Sequence, residues 1–201
     1  MAERDQVLIQ IMDTAWADAA RRAGEHLVCR AGCTQCCHGA FRINALDAER
    51  LRAGMERLRA ENAEMAAQIE RRARAWIDAC AAEYPGNAAS GVLDDSEDAR
   101  ERFDDLPEDA ACPALDPATG LCQVYEWRPM TCRVFGPPVR MEMGALGCCE
   151  LCFTNADAEE IAACEMIVPH DLESSMVDEM GDAAETVVAY ALLKSCRAAA
   201  R

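Results

Sequence analysis

Thirteen of the 201 residues are cysteine, and four of them form the adjacent pairs Cys36-Cys37 and Cys148-Cys149. Any fold of this chain has to place those sulfurs. Neighbours in sequence sit about 3.8 Å apart at Cα, well short of the roughly 5.5 Å that an unstrained disulfide prefers. The odd total also argues against a complete disulfide framework. The N-terminus, Met1-Ala-Glu-Arg-Asp-Gln, lacks the basic start and apolar run of a secretory signal. No stretch approaches the roughly 18 apolar residues of a membrane span. These features lead us to expect a soluble, cytoplasmic protein. In that compartment thiols stay reduced, and clustered cysteines serve as metal ligands or redox groups.

The charge narrows the partners. The formal net charge is -16 with a pI near 4.5. The phosphate-neutralising interaction that drives nucleic-acid affinity would be repulsive over most of such a surface. Nucleic acid and anionic membranes are therefore excluded as expected partners, and the sequence indicates no particular protein partner. The acid is concentrated in residues 83 to 111, with ten Asp or Glu against Arg100 and Arg102, and again in residues 155 to 201.

The 39 alanines favour helix, because Ala loses no side-chain entropy on entering one. Val7, Leu8, Ile11, Met12, Ala15, Trp16 and Ala19 recur at three- and four-residue steps and predict a helix over 4–23. Asn44 and Asp47 mark the start of a long helix over about 45–82. Its seam runs Leu51, Met55, Leu58, Asn62, Met65, Ile69, Arg72 and Trp76, a heptad pattern with polar interruptions at Asn62 and Arg72. Those interruptions favour packing within the chain. A dimer through the long helix is the alternative.

Tyr84-Pro-Gly-Asn ends this segment, and 83–111 reads as an acidic, solvated linker with a short helix near 96–105. Residues 112–152 carry six cysteines among five prolines, which suits loops and short strands. A C-terminal helical part spans 156–198, with helices over 156–168 and 172–198. The expected fold class is mainly α: one domain over 1–201 in which helices pack around an irregular, loop-rich cysteine cluster that binds metal.

A Cys-x2-Cys spacing lets two soft, charged sulfurs reach one ion from a tight turn. The chain has two such pairs, Cys33/Cys36 and Cys149/Cys152. With only His26, His38 and His170 as imidazoles and no His-Glu-x-x-His, an open histidine-rich catalytic site has little support. The candidate groups are thiolate-bound zinc and an iron-sulfur cluster. Excess negative charge on such sulfurs calls for cations, for which Arg30, Arg128 and Arg133 are placed in sequence. His38, beside Cys37, is a further donor candidate. Cys80, Cys164 and Cys196 fall on helical stretches and read as small core hydrophobes.

Two blocks carry a resemblance. They are Cys29-x3-Cys33-x2-Cys36-Cys37 and Cys112-Pro-x-Leu-Asp-x4-Gly-Leu-Cys122-x-Val-Tyr-x-x-Arg-Pro-x-x-Cys132-Arg. Together they resemble the YkgJ-type cysteine-cluster family, the zinc- or iron-chelating domain named for CxxCxxCC. The resemblance implies metal binding by the matching residues Cys33, Cys36, Cys37, Cys112, Cys122 and Cys132. Three residues rather than two separate Cys29 from Cys33, a departure from the family pattern. Cys148, Cys149 and Cys152 lie outside both blocks and rest on spacing alone.

The expected function is that of a metal-binding protein holding zinc or an iron-sulfur cluster through these thiolates. The alternatives are an iron-sulfur-dependent enzyme related to protein lysine methylases, or a thiol redox protein. No glycine-rich nucleotide-binding motif accompanies the enzyme reading, and redox exchange would use only one Cys-x2-Cys pair.

Overall fold

The alanine-rich amphipathic segments become helices in the computed structural model, which describes residues 2–141 and 144–193. In chain order the helices are α1 (Ala2–Ala23), α2 (Ala45–Glu61), α3 (Ala63–Cys80), α4 (Glu97–Asp104), α5 (Met130–Val134), α6 (Ala158–Ala163), α7 (His170–Met180) and α8 (Val188–Leu192). Six two-residue strands accompany them: β1 (Arg42–Ile43), β2 (Gly86–Asn87), β3 (Val92–Leu93), β4 (Val139–Arg140), β5 (Leu146–Gly147) and β6 (Thr186–Val187). The fold is mainly α, with cysteines gathered near 29–37 and 148–152. Among the described residues no helix is long and apolar enough to cross a membrane.

The chain forms two units, Met1–Ala31 with Met130–Glu179 and Gly32–Pro129 with Met180–Arg201. In the first unit α1 buries Leu8, Met12 and Ala19, the face its periodicity predicts. The Trp16 indole donates to the Phe135 carbonyl at 3.0 Å. Arg133 on α5 pairs with Asp13 of α1 at 2.9 Å. Strands β4 and β5 form an antiparallel pair, Val139 opposite Gly147 and Arg140 opposite Leu146.

The second unit corrects the single long helix expected over 45–82. The segment is two helices, separated at Asn62, whose φ of -150° and ψ of 81° are not helical. Asn62 ends α2 and caps α3, its side-chain oxygen accepting from Met65 N at 3.1 Å. The helices then fold against each other, and Arg59 reaches Glu70 at 2.7 Å. In one continuous helix those residues would stand about 16 Å apart along the axis. The apolar seam closes on itself as Leu51, Met55, Leu58, Ala66, Ile69 and Ala73, joined by Val188, Ala191 and Leu192 of α8.

The acidic stretch also departs from a simple solvated linker. Its expected short helix is α4, capped by Ser96 accepting from Ala99 N at 3.3 Å. Around it, Tyr84, Leu93 and Leu106 are buried with Trp76, Cys80, Val187 and Ala189. Apolar residues spaced among the acids thus anchor the segment while the charges face water. Strands β1 and β6 pair antiparallel, Arg42 opposite Val187 and Ile43 opposite Thr186.

The helix expected over 172–198 is also interrupted. It stops at Met180, Gly181 adopts φ of +65°, and the chain turns extended to form β6 before α8. Cys196 and the end of that expected helix lie outside the described residues.

Candidate metal centre

In the second unit the cysteines are brought together by backbone pairing between distant segments. Gln35–Cys37 form one 3-10 turn, with Cys37 N donating to Thr34 O at 2.8 Å. The chain then straightens at His38 (φ -122°, ψ 149°) and runs antiparallel to 110–112. Gly39 N donates to Ala110 O at 2.9 Å, and Cys112 N to Cys37 O at 2.7 Å. A second isolated bridge sets Leu115 opposite Cys122.

Between those residues, Asp116–Gly120 make a closed turn. Gly120 N donates to Asp116 O, and Asp116 N to Leu121 O, both at 2.8 Å. The Asp116 carboxylate accepts from the Thr119 hydroxyl at 2.7 Å and from Ala118 N at 3.0 Å. These bonds, the hydroxyl first, hold its carboxyl below the usual range. Gly120 has φ of +70°, and a Cβ there would stand 3.2 Å from Gly32 O. The loop carrying Cys33 therefore lies against the turn that leads to Cys122.

Arg72, a polar interruption in the seam, has a structural role. Its Nε donates to Pro113 O at 2.8 Å and its Nη2 to Gln123 Oε1 at 2.5 Å. Helix α3 thereby grips the Cys112–Cys122 hairpin on both sides, while Cys112 and Cys122 pack against the main core.

The thiols perturb one another. Cys37 donates to Cys36, which lowers the Cys36 thiol to about 6; burial opposes the change, and the positive charge of Arg128 reinforces it. Cys37 is correspondingly raised by holding that proton, by burial, and by negative charge on Cys36, Cys112 and Cys122. Burial pushes Cys112 up to about 12 and raises Cys122. Arg128 is held over the Tyr125 ring, 3.8 Å from its centroid, and donates to Tyr125 O at 3.0 Å. It is a fixed cation close to the sulfurs, as expected of a residue that offsets thiolate charge.

His38 Nδ1 lies 2.9 Å from Thr34 O, so with that nitrogen protonated Nε2 keeps its lone pair. In metal-free protein, Cys36 is expected to react with iodoacetamide along a pH profile with a midpoint near 6. Cys80, raised by burial, should lag behind it at neutral pH. A Cys36 midpoint in the ordinary thiol range would show that the Cys37 bond does not form.

The first unit carries the other five candidates: Cys29, Cys132, Cys148, Cys149 and Cys152. Cys132 is half-buried on α5, Cys148 is exposed, and Cys149 and Cys152 are buried. Cys152 N donates to Cys149 O at 2.8 Å, closing the Cys-x2-Cys turn, and the Cys29 and Cys152 sulfurs lie 4.0 Å apart. Cys164 is buried in the same cluster, as Cys80 is in another. Nothing in local spacing links Cys164 to the other thiols. Among the described residues, no three or more His, Cys, Asp or Glu side chains enclose a metal position. The thiols are neighbours through backbone pairing and charge rather than members of a closed shell.

A helical chain that draws thiols from distant blocks to one short backbone ladder is a cysteine-cluster protein. Residues 28–146 match the family described as "CxxCxxCC: Putative zinc- or iron-chelating domain". The match covers more than half of the chain, which belongs to this family, and the membership supports metal binding in general terms. No curated protein and no solved structure matches the chain.

Proposed function

We propose that this is a cytoplasmic metal-binding protein in which Cys33, Cys36, Cys37, Cys112 and Cys122 hold zinc or an iron-sulfur cluster as thiolates. The observation that carries the reading is the 2.7 Å hydrogen bond from Cys112 N to Cys37 O. It sets the two blocks of the family motif side by side, with sulfurs that feel each other's charge. The donor set fits a soft metal: five thiols, one already acidic, beside the fixed cation Arg128. Bound metal would replace the thiol protons and tie the segments 33–37 and 112–122 to one point. Cys132, the sixth motif cysteine, sits on α5 in the other unit, and its replacement by serine tests it separately.

Anaerobic purification followed by metal analysis and a visible spectrum tests the proposal. Iron with acid-labile sulfide and a broad visible absorbance assigns a cluster, whereas a colourless protein with stoichiometric zinc assigns zinc. Neither metal, with secondary structure unchanged by chelation, counts against both.

One observation favours the enzyme reading as a second possibility. A cavity of about 320 Å³ is lined by His38, Gly39, Ala40, Phe103, Asp104, Leu106 and Glu108, beginning one residue after Cys37. Its volume falls at the lower end of ligand pockets, about 300–1,000 Å³. An iron-sulfur enzyme would bind its substrate there.

A further inference from the structure

We propose that the first unit holds a zinc centre of its own, made by the thiolates of Cys29, Cys149, Cys152 and Cys164. The inference does not rest on the centre proposed above, since all four ligands belong to Met1–Ala31 with Met130–Glu179. Three of the four, Cys149, Cys152 and Cys164, lie beyond the residues matched by the family.

The four sulfurs come from three separated segments and share one cluster of ten described residues, in which Cys29 is half-buried and the other three cysteines are buried. Its other members include only four large side chains, Leu27, Phe135, Phe153 and Ile161. A single buried thiol is an ordinary small hydrophobe. Four in so small a cluster are a donor set, matching the all-thiolate composition of structural zinc sites. Cys29 and Cys152 already have suitable spacing. Two thiolates at zinc-sulfur distances of about 2.3 Å on a tetrahedral ion are about 3.8 Å apart, and these sulfurs are separated by 4.0 Å.

The surrounding backbone fixes both of them. Gly136, at φ of +114°, presses so closely on Cys29 that a Cβ would come within 2.8 Å of the sulfur. The Cys149–Cys152 turn is tied at one end by Cys149 N to Gly136 O at 3.3 Å. At the other end, Phe153 N donates to His26 O at 2.9 Å and the two rings stack at 5.6 Å. Phe153 has φ of 56°, and no other non-glycine residue among those described has positive φ. Such a conformation persists only where its surroundings enforce it.

Cys164 is held from both sides, because the Arg22 guanidinium donates to the carbonyls of Ala163 and Glu165. This places a cation beside a site whose four thiolates exceed the charge of the ion. Cys148, by contrast, is exposed. Among the described residues the four side chains do not enclose a metal position in the metal-free chain, so zinc binding would turn Cys149 and Cys164 toward the existing pair, each of the four thiols releasing its proton to solvent.

The test uses the full, reduced chain with zinc and cobalt(II) as probes. The double variant Cys29→Ser with Cys152→Ser is expected to lose one equivalent of zinc, whereas Cys36→Ser with Cys37→Ser keeps that equivalent. Cys164→Ala should lower the sulfur-to-cobalt charge-transfer intensity of this site by the share of one thiolate in four. The unsubstituted chain gives a readout that does not depend on variants folding. Zinc should shield Cys29, Cys149, Cys152 and Cys164 from N-ethylmaleimide, and a chelator should expose all four together while Cys80 stays shielded.

Full zinc retention by the Cys29/Cys152 variant, or labelling of the four unchanged by chelation, overturns the inference. Metal loss confined to the Cys36/Cys37 variant overturns it too and leaves the first centre standing. Loss confined to the Cys29/Cys152 variant supports it while removing the first.

Discussion

Replacing Cys36 and Cys37 together by serine is expected to abolish metal retention by the Gly32–Pro129 segment and to remove the part of the chelator-induced drop in melting temperature that this segment's metal supplies. Of the 201 residues, 39 are alanine, and the second unit's main cluster draws on five of them, Ala48, Ala66, Ala73, Ala114 and Ala191. Small side chains bury little area, and burial stabilises by about 25 cal/mol per Å². A structural zinc bound by thiolates contributes an apparent 10–16 kcal/mol at neutral pH, comparable with the whole 5–15 kcal/mol stability of a typical domain.

Serine matches the thiol closely in size, so little packing is lost at these half-buried positions. In its second unit the variant should therefore resemble the metal-stripped native chain. Thermal unfolding with and without chelator, alongside metal analysis, checks the prediction. Chelator should bring the native chain and the variant to the same melting temperature, the variant falling by less because it has only the first unit's zinc to lose. A variant that keeps the native metal content and the full native drop in melting temperature on chelation would rule out these two thiols as ligands.

How far the fold could be read beforehand depends on the range of the interactions involved. α1 was legible because its packing follows from a local period, Leu8, Met12 and Ala19 on one face. The break at Asn62 was not, because a heptad seam has the same spacing in one long helix as in two helices folded together. What distinguishes them is the cap from Asn62 to Met65 N and the reach of Arg59 to Glu70. Arg72 misled for a related reason: it interrupts the seam because it binds Pro113 O and Gln123, partners beyond any local window.

The pairing of Ile43 with Thr186 explains why the C-terminal helix could not continue, and it spans most of the chain. For the candidate site, the turns themselves were visible in Cys33-x2-Cys36 and Cys149-x2-Cys152. Their sorting into two sets was not, since it is decided by long-range bonds such as Cys112 N to Cys37 O. The carbonyl grip of Arg22 beside Cys164 is equally remote in sequence.

Removal of the Arg50 cation should destabilise the chain by about 3–5 kcal/mol, the range for one member of a buried ion pair. Asp47 and Arg50 lie one helical turn apart at the start of α2, with side chains 3% and 4% exposed. Asp47 also stands at the third helical position, where its backbone N–H donates to the Asn44 side chain at 2.9 Å. The bond that begins the helix thus fixes the Asp47 backbone, and the carboxylate it carries is buried. Removing the guanidinium would leave that carboxylate buried without its cation.

Arg50→Met keeps most of the apolar stem and deletes the charge, so loss of packing contributes little to the difference. Adding Asp47→Leu to Arg50→Met should recover much of the loss, because the strain lies in the unpaired charge rather than in missing pair energy. Denaturant unfolding of the metal-loaded chain, run as a double-mutant cycle, separates these contributions. A loss below about 1 kcal/mol in Arg50→Met, the range of exposed pairs, would mean that water reaches the Asp47 carboxylate. Then the start of α2 would be looser than its burial indicates.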